Sequence, residues 1–330
     1  MSAPMTTADE IRQLSRSFQK SRVLLTAFEL DIFTAIGDSR RSSSDIAESL
    51  NTDPRATDRL LNALCALGLL EKAGGLFANT PATATFLVRG QSDFLSYLSH
   101  SINLWETWGT LTEAVRRGTS VADSSIAKRG DQWREAFIGA MHISAARCAP
   151  EVIGLLDLSG VTRILDVGGG SGAYSMEFVR ARPESRVTVF DLPEVVPLSR
   201  RYIAAGGMSE KIDVCPGDLQ TDDLGANYDL IFVSSIAHMF SLDDNRAFIG
   251  KCAAALAAGG QLVVKDFIVN EDRTQPPDAV LFALNMLVGT KAGDTYTEAE
   301  IRSWMEDAGL GHIQRKDTSF GSALIIGRRM

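Results

Sequence analysis

A glycine-rich segment near the middle of the chain has the composition of a ligand-binding turn. Apolar residues up to Val167 lead into Gly168-Gly169-Gly170-Ser171-Gly172, and a helical pattern begins at Ala173. Glycines let a backbone approach a ligand closely, and the amide groups at the start of the next helix point at that ligand. The segment therefore predicts a site for a nucleotide-like ligand, with Gly168 and Gly170 against it.

Two classes of ligand fit this turn. Gly168, Gly170 and Ala173 satisfy the dinucleotide fingerprint, and Asp191 follows at about the 20-residue spacing of a ribose-binding acid. Asp166, however, lies at the strand end beside the turn, where its charge would repel a pyrophosphate. S-adenosylmethionine has no phosphate and carries a cationic ammonium and a cationic sulfonium, so this acid favours it. An NAD-dependent oxidoreductase is the alternative, which calorimetry would exclude by detecting binding of S-adenosylhomocysteine and none of NAD.

Two acids are expected at the same edge of the sheet, because each follows a predicted strand. Asp191 follows the strand 187–190 and is placed to accept hydrogen bonds from both ribose hydroxyls. Asp218 follows the next strand, where it can accept the adenine amino group while Leu219 covers the ring. Ligands of such sheets lie beyond the carboxyl ends of the strands. We therefore predict that Asp191, Leu192, Asp218 and Leu219 contact the cofactor.

Five stretches of the sequence form a specific pattern when they are taken together: Leu165-Asp166-Val167-Gly168-Gly169-Gly170-Ser171-Gly172, Phe190-Asp191-Leu192-Pro193, Gly217-Asp218, Ile236-Ala237-His238-Met239-Phe240 and Leu284-Asn285-Met286-Leu287. In this pattern the segment from Arg163 to Leu310 resembles the methyltransferase domain of the small-molecule O-methyltransferases. That family contains plant caffeate and hydroxyindole enzymes and bacterial polyketide enzymes. The resemblance extends to the N-terminal third, where the family has a winged-helix dimerisation domain. It implies S-adenosylmethionine as cofactor, S-adenosylhomocysteine as its product, no metal, and a homodimer formed through the N-terminal domain.

The resemblance also implies a catalytic base at His238, just after the predicted strand 230–233. A phenol has a pKa of about 10 and is a poor nucleophile at neutral pH, whereas an imidazole titrates near neutrality and can take its proton. We expect His238 to remove the proton of an acceptor hydroxyl, whose oxygen attacks the sulfonium methyl in line. Alignment of the reactants would supply much of the rate.

Three features depart from the plant pattern. Met239-Phe240 replace an Asp-Trp pair, as in many bacterial relatives. Of the two acids that orient the histidine in plant members, one matches Asp266 and the other falls at Thr295, so the support of the histidine is thinner. Ser234 occupies the position of a plant lysine near the adenine, and either Ser234 or the neighbouring Ser235 is expected to contact the cofactor.

Aromatic, amide and thioether side chains are candidates for an acceptor pocket. The helical region 91–158 is rich in aromatic residues, most of them expected in the core, and three of its side chains are candidates to line a pocket for a flat molecule: Trp105, Phe137 and Met141. Asn285 and Met286 are expected on a helix that closes the pocket, where an amide and a thioether can hold a planar ring. The predicted acceptor is a small hydroxyl-bearing molecule, aromatic or polyketide-like.

The elements that position these residues fall into two groups. After Gly160, short apolar runs alternate with helical segments, which predicts a parallel, doubly wound sheet. Two last runs, around 312–316 and 322–326, are too close for a crossover and predict an antiparallel hairpin that completes a seven-stranded, Rossmann-like class I methyltransferase sheet. Earlier in the chain, a helical run over 24–36 precedes a helix, a turn, a helix and a hairpin over 42–82. This order predicts a mainly α-helical winged-helix domain.

We predict three parts of the chain: a dimerisation domain at 1–95, a helical linker with pocket residues at 96–158, and an S-adenosylmethionine-binding domain at 159–330. Residues 42–82 contain five acids against three bases, where a DNA reader should be positive. A regulator that binds DNA and only senses S-adenosylmethionine is still an alternative, which salt-sensitive DNA binding and unchanged function in His238→Ala would reveal. A carbon or nitrogen methyltransferase is a further alternative, which analysis of the labelled product would separate.

Composition excludes several other classes of protein. A net charge of −8, from 33 basic and 41 acidic residues, disfavours a nucleic-acid partner. Four cysteines lie far apart without a CxxC pair, which indicates neither a zinc site nor a disulfide framework and suits a reducing compartment. No basic segment followed by an apolar run begins the chain, and no uncharged stretch reaches the ~20 apolar residues of a membrane helix. We expect a cytoplasmic, soluble protein with a small-molecule acceptor and no membrane partner.

Overall fold

The computed structural model describes residues 4–121 and 130–330. These residues form two compact units, one ending at Leu104 and the other beginning at Trp105. Each unit has its own helices and its own main sheet. The three-part division at residues 95 and 158 stays a prediction.

The first unit contains the helix, turn, helix and hairpin that the sequence predicts. Its helices are α1 (Ala8–Arg16), α2 (Phe18–Glu29), α3 (Ile32–Ile36), α4 (Ser43–Leu50), α5 (Pro54–Ala66) and α6 (Pro81–Phe86), and its strands are β1 (Arg41–Ser42), β2 (Leu70–Ala73) and β3 (Leu76–Asn79). Ser42 and Asp45 cap the start of α4 reciprocally, and Asp53 caps α5. The run predicted over 24–36 is instead two helices, because Asp31 adopts a left-handed backbone conformation (φ 60°) between them.

The second unit alternates strands and helices. Its strands are β4 (Arg163–Val167), β5 (Arg186–Asp191), β6 (Ile212–Pro216), β7 (Tyr228–Ser234), β8 (Leu256–Asp266), β9 (Ile268–Val269), β10 (Tyr296–Thr297), β11 (Leu310–Asp317) and β12 (Ala323–Arg329). Its helices are α8 (Leu111–Arg117), α9 (Asp131–Gly154), α10 (Ala173–Ala181), α11 (Val196–Ala205), a 3₁₀ helix (Ala237–Met239), α12 (Leu242–Ala255), α13 (Pro277–Gly289) and α14 (Glu298–Asp307), and α7 (Leu98–Trp108) precedes them along the chain. None of the helices within residues 4–121 and 130–330 has the length and apolar character needed to cross a bilayer.

The seven-stranded sheet confirms the predicted fold class. Its strand order is β11-β12-β8-β7-β4-β5-β6. The pairs among β4, β5, β6, β7 and β8 are parallel, whereas β12 is antiparallel to both β8 and β11. The parallel strands therefore share one carboxyl edge, and the last two strands form the expected antiparallel hairpin.

Both faces of this sheet are buried, which explains the near-continuous apolar runs of its strands. Leu165 and Val167 pack with residues of α12 and α14, whereas Ile164 packs on the other face with residues of α9 and α10. Charged side chains are nevertheless buried at the carboxyl ends of β4 and β8: Asp166, Lys265 and Asp266. Burying such groups is costly unless they have partners, so this edge is a candidate functional site.

Candidate active site

The glycine turn between β4 and α10 requires its glycines. Gly168, Gly170 and Gly172 have positive φ angles of 67°, 56° and 73°, which residues with a side chain rarely adopt. A β-carbon on Gly169 would lie 2.7 Å from Cγ of Asp166. The backbone of the turn therefore lies directly against the carboxylate of Asp166.

Asp166 is buried beneath this turn and is 1 % exposed. Burial and the nearby charge of Asp191 raise the pKa of Asp166 to about 7, although a hydrogen bond from Ser175 Oγ (2.6 Å) opposes the rise. A buried carboxylate of this kind is poorly compensated within the chain. It becomes favourable when a cationic ligand lies beside it.

Asp191, at the end of β5, ties the glycine turn to the neighbouring strand. Its carboxylate accepts hydrogen bonds from the backbone N–H groups of Gly170 (2.7 Å) and Leu192 (2.8 Å). Burial raises the pKa of Asp191 to about 6, and these two hydrogen bonds oppose the rise. Ser199, on α11, donates to the carbonyl oxygen of Gly170 (2.5 Å). The turn is thus fixed by side chains from two other elements.

Helix α9 also contacts the glycine turn, through a histidine that sequence reasoning did not place there. Nδ1 of His142 lies 2.8 Å from Oγ of Ser171, and the ring stacks on Tyr202 with 4.3 Å between centroids. Burial lowers the pKa of His142, so its neutral form is favoured. The spacing of α9 alone could not indicate this contact, because Ser171 lies in a separate loop.

The loop after β6 places Asp218 and Leu219 at the same carboxyl edge. The carboxylate of Asp218 accepts a hydrogen bond from the backbone N–H of Gln220 (2.9 Å), and the backbone N–H of Asp218 donates to the carboxylate of Asp222 (2.9 Å). Lys251 of α12 donates from Nζ to three carbonyl oxygens of this loop, those of residues 219, 220 and 222, at 2.8–3.0 Å. One side chain from a distant helix therefore fixes the loop, which the sequence did not reveal.

His238 and Asp266 form a buried pair on the opposite face of the sheet from Asp166. Nδ1 of His238 lies 2.7 Å from Asp266, which also accepts the backbone N–H of His238 (3.2 Å). Burial would raise the pKa of Asp266, but the positive charge of a protonated His238, its side-chain hydrogen bond, the N–H of Phe267 and the charge of Lys265 hold that pKa below its usual value. Because a carboxylate only accepts hydrogen bonds, Nδ1 carries a proton, so Nε2 is the nitrogen that has the lone pair in a neutral ring. This arrangement suits a general base.

The segment 293–295 supports His238 from its backbone. The N–H of Asp294 donates to the carbonyl oxygen of His238 (3.0 Å), and Gly293 lies so close to that oxygen that a β-carbon would overlap it. Thr295, at the position of the second orienting acid, is buried, and its carbonyl oxygen accepts from Arg273 (2.8 Å). The backbone of Asp294 therefore supports His238 on this side, and Arg273 binds the next residue, Thr295.

Helix α13 carries residues of the candidate acceptor pocket. Phe282 meets the His238 ring edge-on, with 4.8 Å between centroids. Oδ1 of Asn285 accepts a hydrogen bond from Nε1 of Trp108 (2.9 Å), and Met286 is buried. Neither Phe282 nor Trp108 was singled out in the sequence, since spacing does not show which face of a helix meets the histidine.

The other predicted pocket residues lie on α7 and α9. Trp105 is half-buried, and Phe137 stacks on Trp133 with 5.1 Å between ring centroids. Met141 is 39 % exposed. Their assignment to the acceptor pocket stays a prediction.

Ser234 and Ser235 lie where β7 ends. Ser234 lies near the hydroxyl group of Tyr174 at the start of α10. Ser235 adopts a left-handed conformation (φ 58°), and its N–H donates to the carbonyl oxygen of Lys265 (2.8 Å). Both serines thus lie at the carboxyl end of β7, and contact of either one with the cofactor stays a prediction.

Comparison with known proteins is consistent with this geometry. A family model described as an O-methyltransferase domain matches residues 108–311, and one described as an O-methyltransferase dimerisation domain matches residues 12–89. The chain is 33 % identical to the 3-hydroxy-5-methyl-1-naphthoate 3-O-methyltransferase of Streptomyces sahachiroi, over 92 % of this chain and 90 % of the relative. It is 32 % identical to the tetracenomycin polyketide synthesis 8-O-methyl transferase TcmO of Streptomyces glaucescens, over 97 % and 96 %. The solved structure of PigF with SAH superposes with a TM-score of 0.92 at 26 % identity, covering 98 % of this chain and all of that one.

The raised pKa of Asp166 predicts a pH-dependent stability. An acid whose pKa is higher in the folded than in the unfolded protein destabilises the fold as the acid ionises. For Asp166 this loss of stability begins near pH 4, the pKa in the unfolded chain, and continues until the pH passes about 7, the pKa in the folded protein. We expect the free energy of unfolding without ligand to fall by roughly 3 kcal/mol between pH 4 and pH 8 on account of this group. Asp166→Asn should remove most of that fall in urea denaturation at the two pH values. Identical pH dependence in the two proteins would show that Asp166 ionises normally.

Proposed function

The chain belongs to the O-methyltransferase family and is an S-adenosylmethionine-dependent O-methyltransferase. We propose that it methylates a hydroxyl of a small planar molecule and that His238 is the general base. The observation that carries the proposal is the buried His238–Asp266 pair, whose Nδ1 to Oδ1 distance is 2.7 Å. The pair lies at the carboxyl edge of the strands that also carry the glycine turn.

The residues at this edge fit S-adenosylmethionine. The glycine turn leaves no room for a β-carbon at Gly169, and the buried acid beneath it suits a cation. We propose that Asp191 and Leu192 hold the ribose, that Asp218 and Leu219 hold the adenine, and that Ser234 or Ser235 contacts the cofactor. When bound, the cofactor supplies an electrophilic methyl group on a sulfonium.

His238 acts on the acceptor. Its Nε2 takes the proton of the hydroxyl, and Asp266 stabilises the imidazolium that forms without taking the proton itself. Asp266 also fixes the ring, because it binds both Nδ1 and the backbone N–H of the same residue. The site would hold the acceptor oxygen against the methyl group that the bound cofactor supplies, and this positioning would contribute much of the rate.

The acceptor is proposed to be a hydroxylated aromatic or polyketide-like molecule, as the names of the two Streptomyces relatives state for those enzymes. Trp108 fixes the orientation of the Asn285 amide, because an indole N–H can only donate and therefore selects Oδ1. The NH₂ group of Asn285 is then left to donate to the acceptor. An acceptor with a carbonyl or second hydroxyl oxygen near the methylated position fits this donor, and Phe282 and Met286 fit its ring.

We further propose that the protein acts as a homodimer through residues 12–89, which match the dimerisation model. Helix α1 has no buried residue within the chain, and its apolar side chains are exposed: Ile11 and Leu14, each 59 %. A partner chain would cover these side chains. Light scattering of the purified protein tests this assembly.

Replacing the base is the first test of the mechanism. We expect His238→Gln to lower turnover by ~100-fold or more while the affinity for S-adenosylhomocysteine changes little, because glutamine cannot accept the proton. Single-turnover kinetics with a phenolic or polyketide-like acceptor and titration calorimetry measure the two quantities. Asp266→Asn is a second variant of the same pair. It should keep the fold and also reduce turnover, because the amide can force the other imidazole tautomer.

Equal turnover in the wild type and in His238→Gln would remove His238 from the mechanism. Nuclear magnetic resonance of the product made with an isotopically labelled methyl group separates oxygen from carbon or nitrogen methylation. A labelled methyl on carbon or nitrogen would overturn the proposed hydroxyl acceptor.

The fixed amide of Asn285 predicts selectivity among acceptors. Asn285→Asp keeps the acceptor atom for Trp108 but removes the NH₂ donor, so kcat/KM should fall by ~10- to 100-fold for acceptors with a neighbouring carbonyl oxygen. An otherwise identical acceptor without that oxygen should lose much less. Equal losses of kcat/KM for both acceptors would show that the Asn285 amide does not bind the neighbouring carbonyl oxygen.

A further inference from the structure

Lys265 is a buried lysine at the carboxyl end of β8. It is 8 % exposed and lies opposite Ser234 in the register of β7 and β8. Because successive side chains of a strand point to opposite faces, Lys265 shares the face of Val263, which packs with residues of α9 and α10. The next residue, Asp266, points to the other face, where it meets His238.

The ammonium of Lys265 has little compensation within the protein. Nζ lies 3.4 Å from Oγ of Ser235 and 5.8 Å from the ring centroid of Tyr174. Across the part of the chain that the structure describes, no carboxylate oxygen lies within 4.0 Å of Nζ. By contrast Arg134, the other buried cationic side chain of that part, pairs with Asp131 (2.9 Å). Burial lowers the pKa of Lys265, and the charge of the neighbouring Asp266, which lies on the other face of the strand, opposes this shift only in part.

The neighbours of this ammonium border the glycine turn. Tyr174 is the second residue of α10, which begins directly behind the turn, and Ser235 follows β7, the strand beside β4. Asp166 on β4 points to the same face of the sheet, since Ser175 of α10 donates to it. Asp166 and Lys265 are therefore an acid and a base on one face, on the two strands that flank β7.

The amino-acid part of S-adenosylmethionine needs one group of each sign. It carries an ammonium and a carboxylate, whereas Asp166, Asp191 and Asp218 suit only cations and hydrogen-bond donors and would repel the carboxylate. A desolvated ammonium forms strong, charge-assisted hydrogen bonds with a carboxylate. It also has three protons to donate, of which Ser235 takes one at a long distance.

We propose that Lys265 binds the carboxylate of the amino-acid part of the cofactor, opposite Asp166, which faces its ammonium. This assignment rests on the proposed cofactor site. It identifies the Lys265 ammonium as the group of that site that binds the cofactor carboxylate. It also accounts for a buried lysine that the methyl-transfer chemistry does not otherwise use.

The test combines one substitution with one change of ligand. Lys265→Met keeps the length of the aliphatic stem and removes the ammonium. The ligands are S-adenosylhomocysteine and its decarboxylated analogue, which keeps the amino group. Titration calorimetry should show that Lys265→Met weakens binding of S-adenosylhomocysteine by ~30-fold or more and changes binding of the analogue by less than about 3-fold.

Lys265→Arg is the matched variant, since it keeps the positive charge. It should retain part of the preference of the wild type for S-adenosylhomocysteine over the analogue, and thermal unfolding checks that both variants are folded. Equal weakening of both ligands in Lys265→Met would make Lys265 structural and overturn the proposal. Unchanged binding of S-adenosylhomocysteine would place the carboxylate elsewhere, whereas a wild type that binds neither ligand would overturn the proposed cofactor site itself.

Discussion

The hydrogen bond from the N–H of Gly170 to the carboxylate of Asp191 is the interaction on which the site depends. At 2.7 Å it joins the turn after β4 to the end of β5, and the second oxygen of Asp191 accepts the N–H of Leu192. A turn with three left-handed glycines would otherwise have many conformations to lose on binding. Because the chain itself fixes the turn, the acids at this edge are positioned before any ligand arrives, and less conformational freedom is lost on binding.

In the proposed mechanism one face of the sheet binds the cofactor and the other activates the acceptor. On the face toward α9 and α10 lie Asp166 and Lys265, which we propose to bind the amino-acid part of the cofactor. On the other face, Asp266 binds Nδ1 of His238, the proposed general base. Lys265 and Asp266 are consecutive residues of β8, so the alternation of a strand places Lys265 toward the proposed cofactor site and Asp266 toward His238.

The sequence was sufficient for structural features at the ends of strands, whose functional roles stay predictions. The glycine turn, Asp191 and the seven-stranded sheet follow from local patterns, and the structure has them. It was insufficient where a partner comes from a distant element: Lys251 fixes the loop of Asp218, and Trp108 orients Asn285, 177 residues away. Spacing shows that a helix has an apolar face, but it does not show which residue of a distant element will contact a polar side chain on that helix. The single helix predicted over 24–36 failed for a local reason, the left-handed Asp31.

The affinity of Asp191→Asn for S-adenosylhomocysteine tests the central claim most directly. Asparagine keeps the shape of the side chain but replaces one acceptor oxygen by a donor, so it cannot serve the turn and the ribose together. Asp229→Asn is the matched control, because Asp229 also accepts backbone N–H groups, those of Thr162 and Arg163, but lies at the amino end of β7. Calorimetry should show a loss of ~30-fold or more for Asp191→Asn and wild-type affinity for Asp229→Asn. Wild-type affinity in Asp191→Asn would contradict the account.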